Sequence, residues 1–240
     1  MRPRFDEGET IPSEIEVKLS MASVAAARKK IAKLGAKLVR REVGGKDGRV
    51  HELNILFDTP DGGFARHGQL LRVRIESAGG ANGKKASSKD AKRVVLTYKG
   101  PGEPQQQAGF KIREEKEVVV ADDAAMRGIL EALGLRGWFR YEKYRTTFAL
   151  PGSARWAAGL QVELDETPIG VYVELEGPPG AIDRAASELG FSRADYITKN
   201  YLLLHVENCR RKGLAVAQLA PGVVSGIPDM VFAGGKKSKR

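Results

Sequence analysis

The sequence predicts an α+β protein, with an eight-stranded antiparallel β-barrel that has a charged interior and is flanked by helices. Three observations support this fold class. Short runs alternate apolar and polar residues with the period of two that is typical of β-strands. The polar positions of these runs repeatedly carry charges of both signs. Amphipathic runs with helical spacing interrupt the strands and can cover their apolar faces.

The strand-like runs are separated by turns rich in Gly, Pro and Asp, such as DTPDGG and KGPGEP. In chain order they are EIEVKL (14–19), HELNILFD (51–58), LLRVRI (70–75), RVVLTYKG (93–100), FKIREEKEVVV (110–120), YEKYRTTFAL (141–150), GLQVELDE (159–166) and VYVELEG (171–177).

Helical spacing of apolar residues predicts helices at residues 21–34, after a capping Asp122, at residues 179–190, and after Asp195. Between the third and fourth strands, residues 78–93 have low complexity and are predicted to form a loop.

Sorting each strand into its two faces separates the charged side chains from the apolar ones. The basic residues on the polar faces are Lys18, Arg72, Arg74, Lys99, Arg113, Lys143 and Arg145. The acidic residues are Glu14, Glu16, Glu115, Glu117, Glu163, Asp165, Glu174 and Glu176. An open sheet with a solvated face would explain this alternation in one strand, but it explains poorly why like charges recur at i and i+2 in several strands. A closed barrel, apolar outside and charged inside, accounts for all of them.

A charged interior indicates a charged ligand, because buried ions are costly unless they are paired or bound. Clustered Lys and Arg side chains favour a polyanion, and clustered carboxylates favour divalent cations between them. Cys209 is the single cysteine and the three histidines show no ligand spacing, so a metal would be held by carboxylates. Carboxylates suit hard ions such as Mg²⁺ or Mn²⁺, and the ligand that satisfies both groups is a metal-bound polyphosphate.

The order of motifs along the chain resembles the CYTH superfamily, the triphosphate tunnel metalloenzymes. EIEVK fits the ExExK signature of that superfamily. It is followed by FDTPDGGFARHGQLLRVR, LTYKGP, REEKE, EKYRT, VELDETPIGVYVELEG and ITKNYLLL, over residues 14–204. Within the superfamily the chain is most similar to bacterial proteins of the class IV adenylate cyclase type, and thiamine triphosphatase shares the same tunnel.

The resemblance implies a role for most of the charged residues. The residues that would bind the triphosphate are Lys18, Arg72, Arg74, Lys99 and Arg145, joined by Arg113 and Lys143, with Lys199 closing the tunnel. Those that would hold the metal are Glu14, Glu16, Asp165, Glu174 and Glu176. Glu115 would lie nearby, and Glu117 and Glu163 would balance charge. The general base remains open between Glu14, Glu16 and Glu115, and Asn200 stands where relatives commonly have Ser.

Three functions are considered, and the resemblance implies the first two. The first is a class IV adenylate cyclase, which converts ATP to cyclic AMP and pyrophosphate through attack of the ribose 3′-hydroxyl on the α-phosphorus. The second is a triphosphatase acting on inorganic, thiamine or nucleoside triphosphate. The third is a polyphosphate- or nucleotide-binding module without catalysis, which the intact carboxylate set disfavours.

The net charge of +10 is unevenly placed, because residues 210–240 contribute +6 of it. Bulk charge therefore gives little support for nucleic-acid binding by the main domain. We expect an extension at residues 1–12, a tunnel domain at 13–209, and a basic, frayed C-terminal tail at 210–240. The N-terminus has no apolar signal segment and the chain no convincing membrane span, so we expect a cytoplasmic protein and leave a homodimer open.

Overall fold

Eleven strands and five helices make up the part of the chain that the computed structural model describes, residues 13–45, 47–79, 91–102, 110–220 and 223–233. The strands are β1 (Ser13–Met21), β2 (Lys37–Leu38), β3 (Arg49–Asp58), β4 (Leu70–Ala78), β5 (Lys92–Gly102), β6 (Lys111–Val120), β7 (Arg136–Ala149), β8 (Gln161–Thr167), β9 (Gly170–Glu176), β10 (Ala217–Ala220) and β11 (Val223–Ser225). The helices are α1 (Val24–Lys33), α2 (Gly63–Arg66), α3 (Asp123–Ala132), α4 (Pro179–Glu188) and α5 (Tyr201–Arg211).

Eight of these strands form a closed antiparallel barrel, as the sequence predicts. Going round the barrel, the order is β7-β3-β4-β5-β6-β1-β9-β8, and the ring closes because β8 also pairs with β7. The short β2 is an extra strand that pairs with the end of β7. Closure pairs most of the length of each barrel strand on both sides, which satisfies most of their backbone hydrogen bonds.

Most apolar positions of the barrel strands point outward and are buried, many of them under helices, although Val118 and Val119 of β6 are exposed. Val17 and Leu19 of β1 are fully buried in a cluster that also contains Ile31 of α1 and Ile182 of α4. A second outer cluster packs Leu130 of α3 against β3, β4 and β5. Covering these faces with helices removes them from water, and the charged positions consequently face the interior.

The cap predicted for α3 is confirmed, whereas α5 begins at Tyr201, later than the start after Asp195 that the sequence predicts. Asp122 accepts hydrogen bonds from the N–H groups of Ala124 and Ala125 at the start of α3. Asn200 begins α5, and its side chain accepts a hydrogen bond from the N–H of Leu203. Asn is as good an N-cap as Ser, so the departure noted at this position preserves the helix start. No helix in the described ranges is both long and apolar enough to cross a membrane.

Helix α5 closes one end of the barrel. Tyr201 and Leu202 at its start are buried with Leu56, Phe139 and Tyr172, which lie on three barrel strands. The segment before α5 is fixed by a pair of backbone hydrogen bonds between Lys18 and Ile197, at the part of β1 that extends beyond its pairing with β6. The start of α5 is therefore held at the lumen.

The C-terminal segment packs on the barrel as well, which differs from the expected frayed tail. Backbone hydrogen bonds join Met230 to Arg140 and Glu142, on the stretch of β7 that precedes its pairing with β8. Met230 is buried, and the ring of Phe232 contacts that of Tyr144. The segment is ordered because β7 offers unpaired N–H and C=O groups there. Residues 234–240, with four of the basic residues, and most of the predicted loop 78–93 lie outside the described residues.

We predict that truncation after Cys209 destabilises the protein, because it exposes the apolar surface that Met230 covers. The free energy of unfolding should fall by at least about 3 kcal/mol, the scale of losing a large buried side chain. Urea denaturation followed by circular dichroism measures it. Truncation after Ala233, which removes only the basic end, is the matched control and should unfold like the full chain. Equal stability of both truncations would show that the docked segment contributes nothing.

Candidate functional site

The interior of the barrel is a charged cavity of about 660 Å³. Asn200 and Tyr201 line it at the end covered by α5, and Arg41, Arg93 and Gln161 line it towards the other end. The residues predicted from the strand faces that line it are Glu14, Glu16, Lys18, Arg72, Arg74, Lys99, Arg113, Glu115, Glu117, Lys143, Arg145, Glu163, Glu174 and Glu176.

Strand register brings opposite charges side by side in this lumen. Lys18 of β1 lies directly opposite Glu174 of β9, and Lys99 of β5 lies opposite Glu115 of β6. Arg145 is likewise the partner of Asp165 across β7 and β8. Inward positions repeat every second residue, so the next inward pair beside Lys18 and Glu174 is Glu16 with Glu176, which brings two acids together.

Arg145 is the most heavily paired of the basic side chains. Its guanidinium donates to both oxygens of Asp165, at 2.7 and 2.6 Å, and also contacts Glu163 and Glu174. Burial alone would lower the pKa of Arg145, but the charges of Asp165 and Glu163 raise it well above its usual value. The side chain therefore stays charged inside the barrel, as a group that binds phosphate must.

Lys18 lies between two carboxylates, that of Glu16 on its own strand β1 and that of Glu174 on β9. Its Nζ is 3.1 Å from Glu16 Oε1 and 3.4 Å from Glu174 Oε1. Burial opposes the charged forms, yet Lys111 and Lys18 together lower the pKa of Glu16, and Glu16 and Glu174 raise that of Lys18. These groups thus form a buried, ionised cluster at one side of the lumen.

Glu176 is crowded by other carboxylates. Burial, together with the charges of Glu14 and Glu163, raises the pKa of Glu176 to about 8. Its cross-strand neighbour on β1 is Glu16, another acid. A divalent cation placed among these oxygens would remove the repulsion, which is how clustered carboxylates are usually satisfied.

Glu14, Lys99 and Glu115 form a second small cluster. Lys99 Nζ is 2.5 Å from Glu14 Oε2 and 2.8 Å from Glu115 Oε2. Burial and a hydrogen bond with Glu14 raise the pKa of Glu115 to about 7. Burial also opposes ionisation of Glu14, but Lys99, the hydrogen bond with Glu115 and Lys111 together lower the pKa of Glu14. The two carboxyl groups therefore differ, and Glu115 titrates close to neutral pH.

The lumen carboxylates fit a hard divalent cation in their chemistry. Among the described residues, however, no three His, Cys, Asp or Glu side chains are already arranged around a common point as metal ligands. Lys18, Lys99 and Lys111 occupy the carboxylate oxygens instead. Binding a cation would consequently require these ammonium groups to turn away from the carboxylates.

Residues 12–201 match the sequence family of the CYTH domain. The chain belongs to the CYTH domain family. The family match spans the whole barrel and ends at the start of α5, and it contains every residue of the two clusters described above.

Solved structures show the same fold at low sequence identity. The PH1819 protein of Pyrococcus horikoshii OT3 is 22% identical, with a TM-score of 0.58 over 81% of this chain and 99% of its own. A candidate adenylate cyclase from Vibrio parahaemolyticus is 14% identical, with a TM-score of 0.55 over 80% and 96%. HpAC1 from Hippeastrum, a candidate adenylyl cyclase described with a dominant triphosphatase activity, is 21% identical, with a TM-score of 0.50 over 83% and 96%. No curated protein sequence matches the chain.

Two residues assigned by resemblance lie elsewhere in this CYTH domain. Asp165 is fully buried and is not among the residues that line the cavity, because its oxygens accept hydrogen bonds from Lys143, Arg145 and the hydroxyl of Tyr201. Lys199 is half exposed on the surface, where its Nζ is 2.5 Å from Glu207 of α5. The structure therefore places Asp165 behind the basic residues and does not bring Lys199 to the lumen.

The face sorting also left unassigned some charged residues that line the lumen or lie directly behind its wall. Lys111 contacts Glu16 and shares the inward face of β6 with Arg113, two positions along, so its spacing could have revealed it. Glu52 alternates with Asn54 on β3, where a lone charge gives a weaker signal. Arg41 precedes β3 in a segment without strand alternation, which gives no signal at all.

The raised pKa of Glu176 predicts that the metal-free protein becomes less stable as pH rises from about 5 to about 8. Over this range the folded state keeps a proton that the unfolded state has lost, so stability falls with pH. Mg²⁺ or Mn²⁺ should raise the melting temperature more at about pH 8 than at about pH 6, since binding competes with that proton. Scanning calorimetry tests this, with Glu176→Gln as the variant that flattens both dependences. An equal Mg²⁺ effect at both pH values would contradict it.

Proposed function

We propose that this CYTH domain is a divalent-metal-dependent enzyme that binds a triphosphate in the lumen and transfers its terminal phosphoryl group to water. One cavity of about 660 Å³ contains both a basic wall, formed by Arg72, Arg74, Lys143 and Arg145, and a crowded group of carboxylates. This combination is the observation that carries the proposal. A pure anion-binding module needs the basic groups but has no use for the carboxylates. The dominant triphosphatase activity described for HpAC1 supports hydrolysis as the reaction.

Binding and orientation fall to the basic side chains. Arg72, Arg74, Lys143 and Arg145 line one region of the lumen and would neutralise the phosphate oxygens. Lys18 and Lys99 lie among the carboxylates and would contact the triphosphate from the other side. Positive charge already in place stabilises the charge that spreads over the phosphate oxygens during transfer. Arg113 donates to the carbonyls of Gly68 and Gly100, which favours a role in holding the barrel rim.

The carboxylates divide into metal ligands and a base. Glu16, Glu174 and Glu176 would hold the Mg²⁺ or Mn²⁺, which would supply further neutralisation of the phosphate oxygens. Glu115 is the best-placed base of the three considered, since its pKa of about 7 lies near working pH. It would accept the proton of the water whose oxygen attacks the terminal phosphorus, and the bond to the diphosphate oxygen breaks.

Cyclisation of ATP to cyclic AMP and pyrophosphate is the second candidate. A cavity of about 460 Å³ adjoins the lumen and shares Lys111, Arg113 and Asn200 with it. Trp138 and Leu202 give this second cavity apolar walls that suit a nucleoside. The same cavity would equally accept the organic part of a triphosphate that is hydrolysed, so the product decides between the two reactions.

The test is incubation with tripolyphosphate, ATP and thiamine triphosphate, each with Mg²⁺ or Mn²⁺, followed by product identification. Orthophosphate is the expected product, cyclic AMP would select the second candidate, and tight binding without turnover would leave only a binding module.

Lys99→Gln and Glu176→Gln should each lower kcat/KM by at least about 100-fold, because the first removes a positive charge aimed into the lumen and the second removes a ligand of the proposed metal. Lys116→Gln is the matched control, since Lys116 points outward from the barrel, pairs with Glu114 and is largely exposed. The control should retain activity within about twofold. Near-normal kcat/KM in both lumen variants would contradict the proposed site.

A further inference from the structure

Glu52 of β3 lies at the centre of the basic wall. Its side chain is fully buried, and its oxygens are 3.5 Å from Lys143 Nζ, 3.8 Å from Arg145 Nε and 3.9 Å from Arg74 Nε. Arg41 Nη1 approaches to 3.9 Å from the lumen mouth. One carboxylate is thus surrounded by cations from β4, β7 and the segment before β3.

Neither oxygen of Glu52 makes a hydrogen bond within the described part of the chain. A buried carboxylate without hydrogen bonds is costly, so its charge needs another source of stabilisation. Burial would raise the pKa of Glu52, but Lys143 and Arg74 hold it well below its usual value. The side chain is therefore an anion that is stabilised by the field of its neighbours rather than by particular hydrogen bonds.

Glu52 also connects cations that no other acid connects. Among the ion pairs of the described residues, Asp165 contacts Lys143 and Arg145 but not Arg74. Glu76 and Glu117 contact Arg74 but neither of the other two. Glu52 alone contacts all three, across the β3–β4 and β3–β7 pairings.

Arg74, Lys143 and Arg145 line the cavity, whereas Glu52 is fully buried and is not among the lining residues. We propose that Glu52 is a positioning residue of the triphosphate site, whose negative charge holds these three cations as one array facing the lumen. The inference rests on the proposed function and adds to it a residue that acts without touching the substrate. Neither the strand-face pattern nor the family resemblance assigned it a role.

Replacing Glu52 by Gln has two opposing effects on the site. The net charge around the lumen becomes more positive by one, because a carboxylate is neutralised, and this favours binding of an anion. The three cations lose their common partner and repel one another, so their side chains leave the geometry that the reaction needs. We expect the affinity for tripolyphosphate without metal to stay within about threefold of wild type, while kcat falls by about tenfold to 100-fold.

The experiment measures both quantities in the full chain. Isothermal titration with tripolyphosphate in the presence of a chelator gives the affinity, and orthophosphate release with Mg²⁺ or Mn²⁺ gives kcat and KM. Glu52→Asp keeps the negative charge, but its side chain is one methylene shorter and the carboxylate therefore lies farther from the three cations. The kcat of Glu52→Asp should lie between those of wild type and Glu52→Gln. Glu166→Gln is the matched control, because Glu166 pairs with Arg49 on the outer face of the barrel, with oxygens at 2.8 Å; it should keep wild-type kcat and affinity.

A fall in kcat with retained affinity, and an intermediate Glu52→Asp, would support the inference. Wild-type kcat in Glu52→Gln would overturn it, and so would a parallel loss of kcat, affinity and melting temperature that Glu52→Asp does not relieve. If Glu52→Gln does not fold, Glu52→Asp decides: lowered kcat with unchanged affinity supports the inference, and unchanged kcat overturns it. A wild-type protein inert towards every triphosphate would overturn the proposed function and this inference together, which distinguishes the two failures.

Discussion

The pairing of charges inside a closed sheet is the constraint on which the rest of this structure depends. Ions such as Lys18, Glu52 and Asp165 have almost no contact with water, and each would be costly to bury alone. Cross-strand register offsets this cost, because it places a cation beside an anion, as for Arg145 and Asp165. The helices outside the barrel and α5 at one end support this pairing. They bury the apolar faces of the strands, so the charged faces point inward.

The paired state is also the source of the proposed chemistry. Lysine ammonium groups occupy the carboxylate oxygens that a metal would need, and carboxylates occupy the guanidinium groups that a phosphate would need. A metal-bound triphosphate carries both kinds of charge, so it can replace both sets of internal partners at once. This exchange explains how a cavity whose ions are already paired can accept a charged ligand.

The strand faces made most of the lumen predictable, because a period of two separates inward from outward side chains without any knowledge of contacts. EIEVKL and VYVELEG show this clearly, with Lys18 and Glu174 both inward and opposite each other. The depth of a residue was not predictable: Asp165 has the right period but lies behind the cations. Glu52 carries no repeated charge on its strand, and Lys199 has no strand period. The docking of Met230 depends on where β8 ends relative to β7, which no local pattern encodes.

The central claim is that the lumen holds a metal-bound triphosphate, and a crystal structure with Mn²⁺ and a non-hydrolysable tripolyphosphate analogue tests it most directly. We expect an anomalous manganese peak bound by Glu16, Glu174 or Glu176. We also expect the phosphate oxygens to contact Arg72, Arg74 and Arg145, and Lys18 to be released from at least one of its carboxylates. Manganese and phosphate found only on the outer surface of the barrel, with the internal ion pairs unchanged, would contradict it.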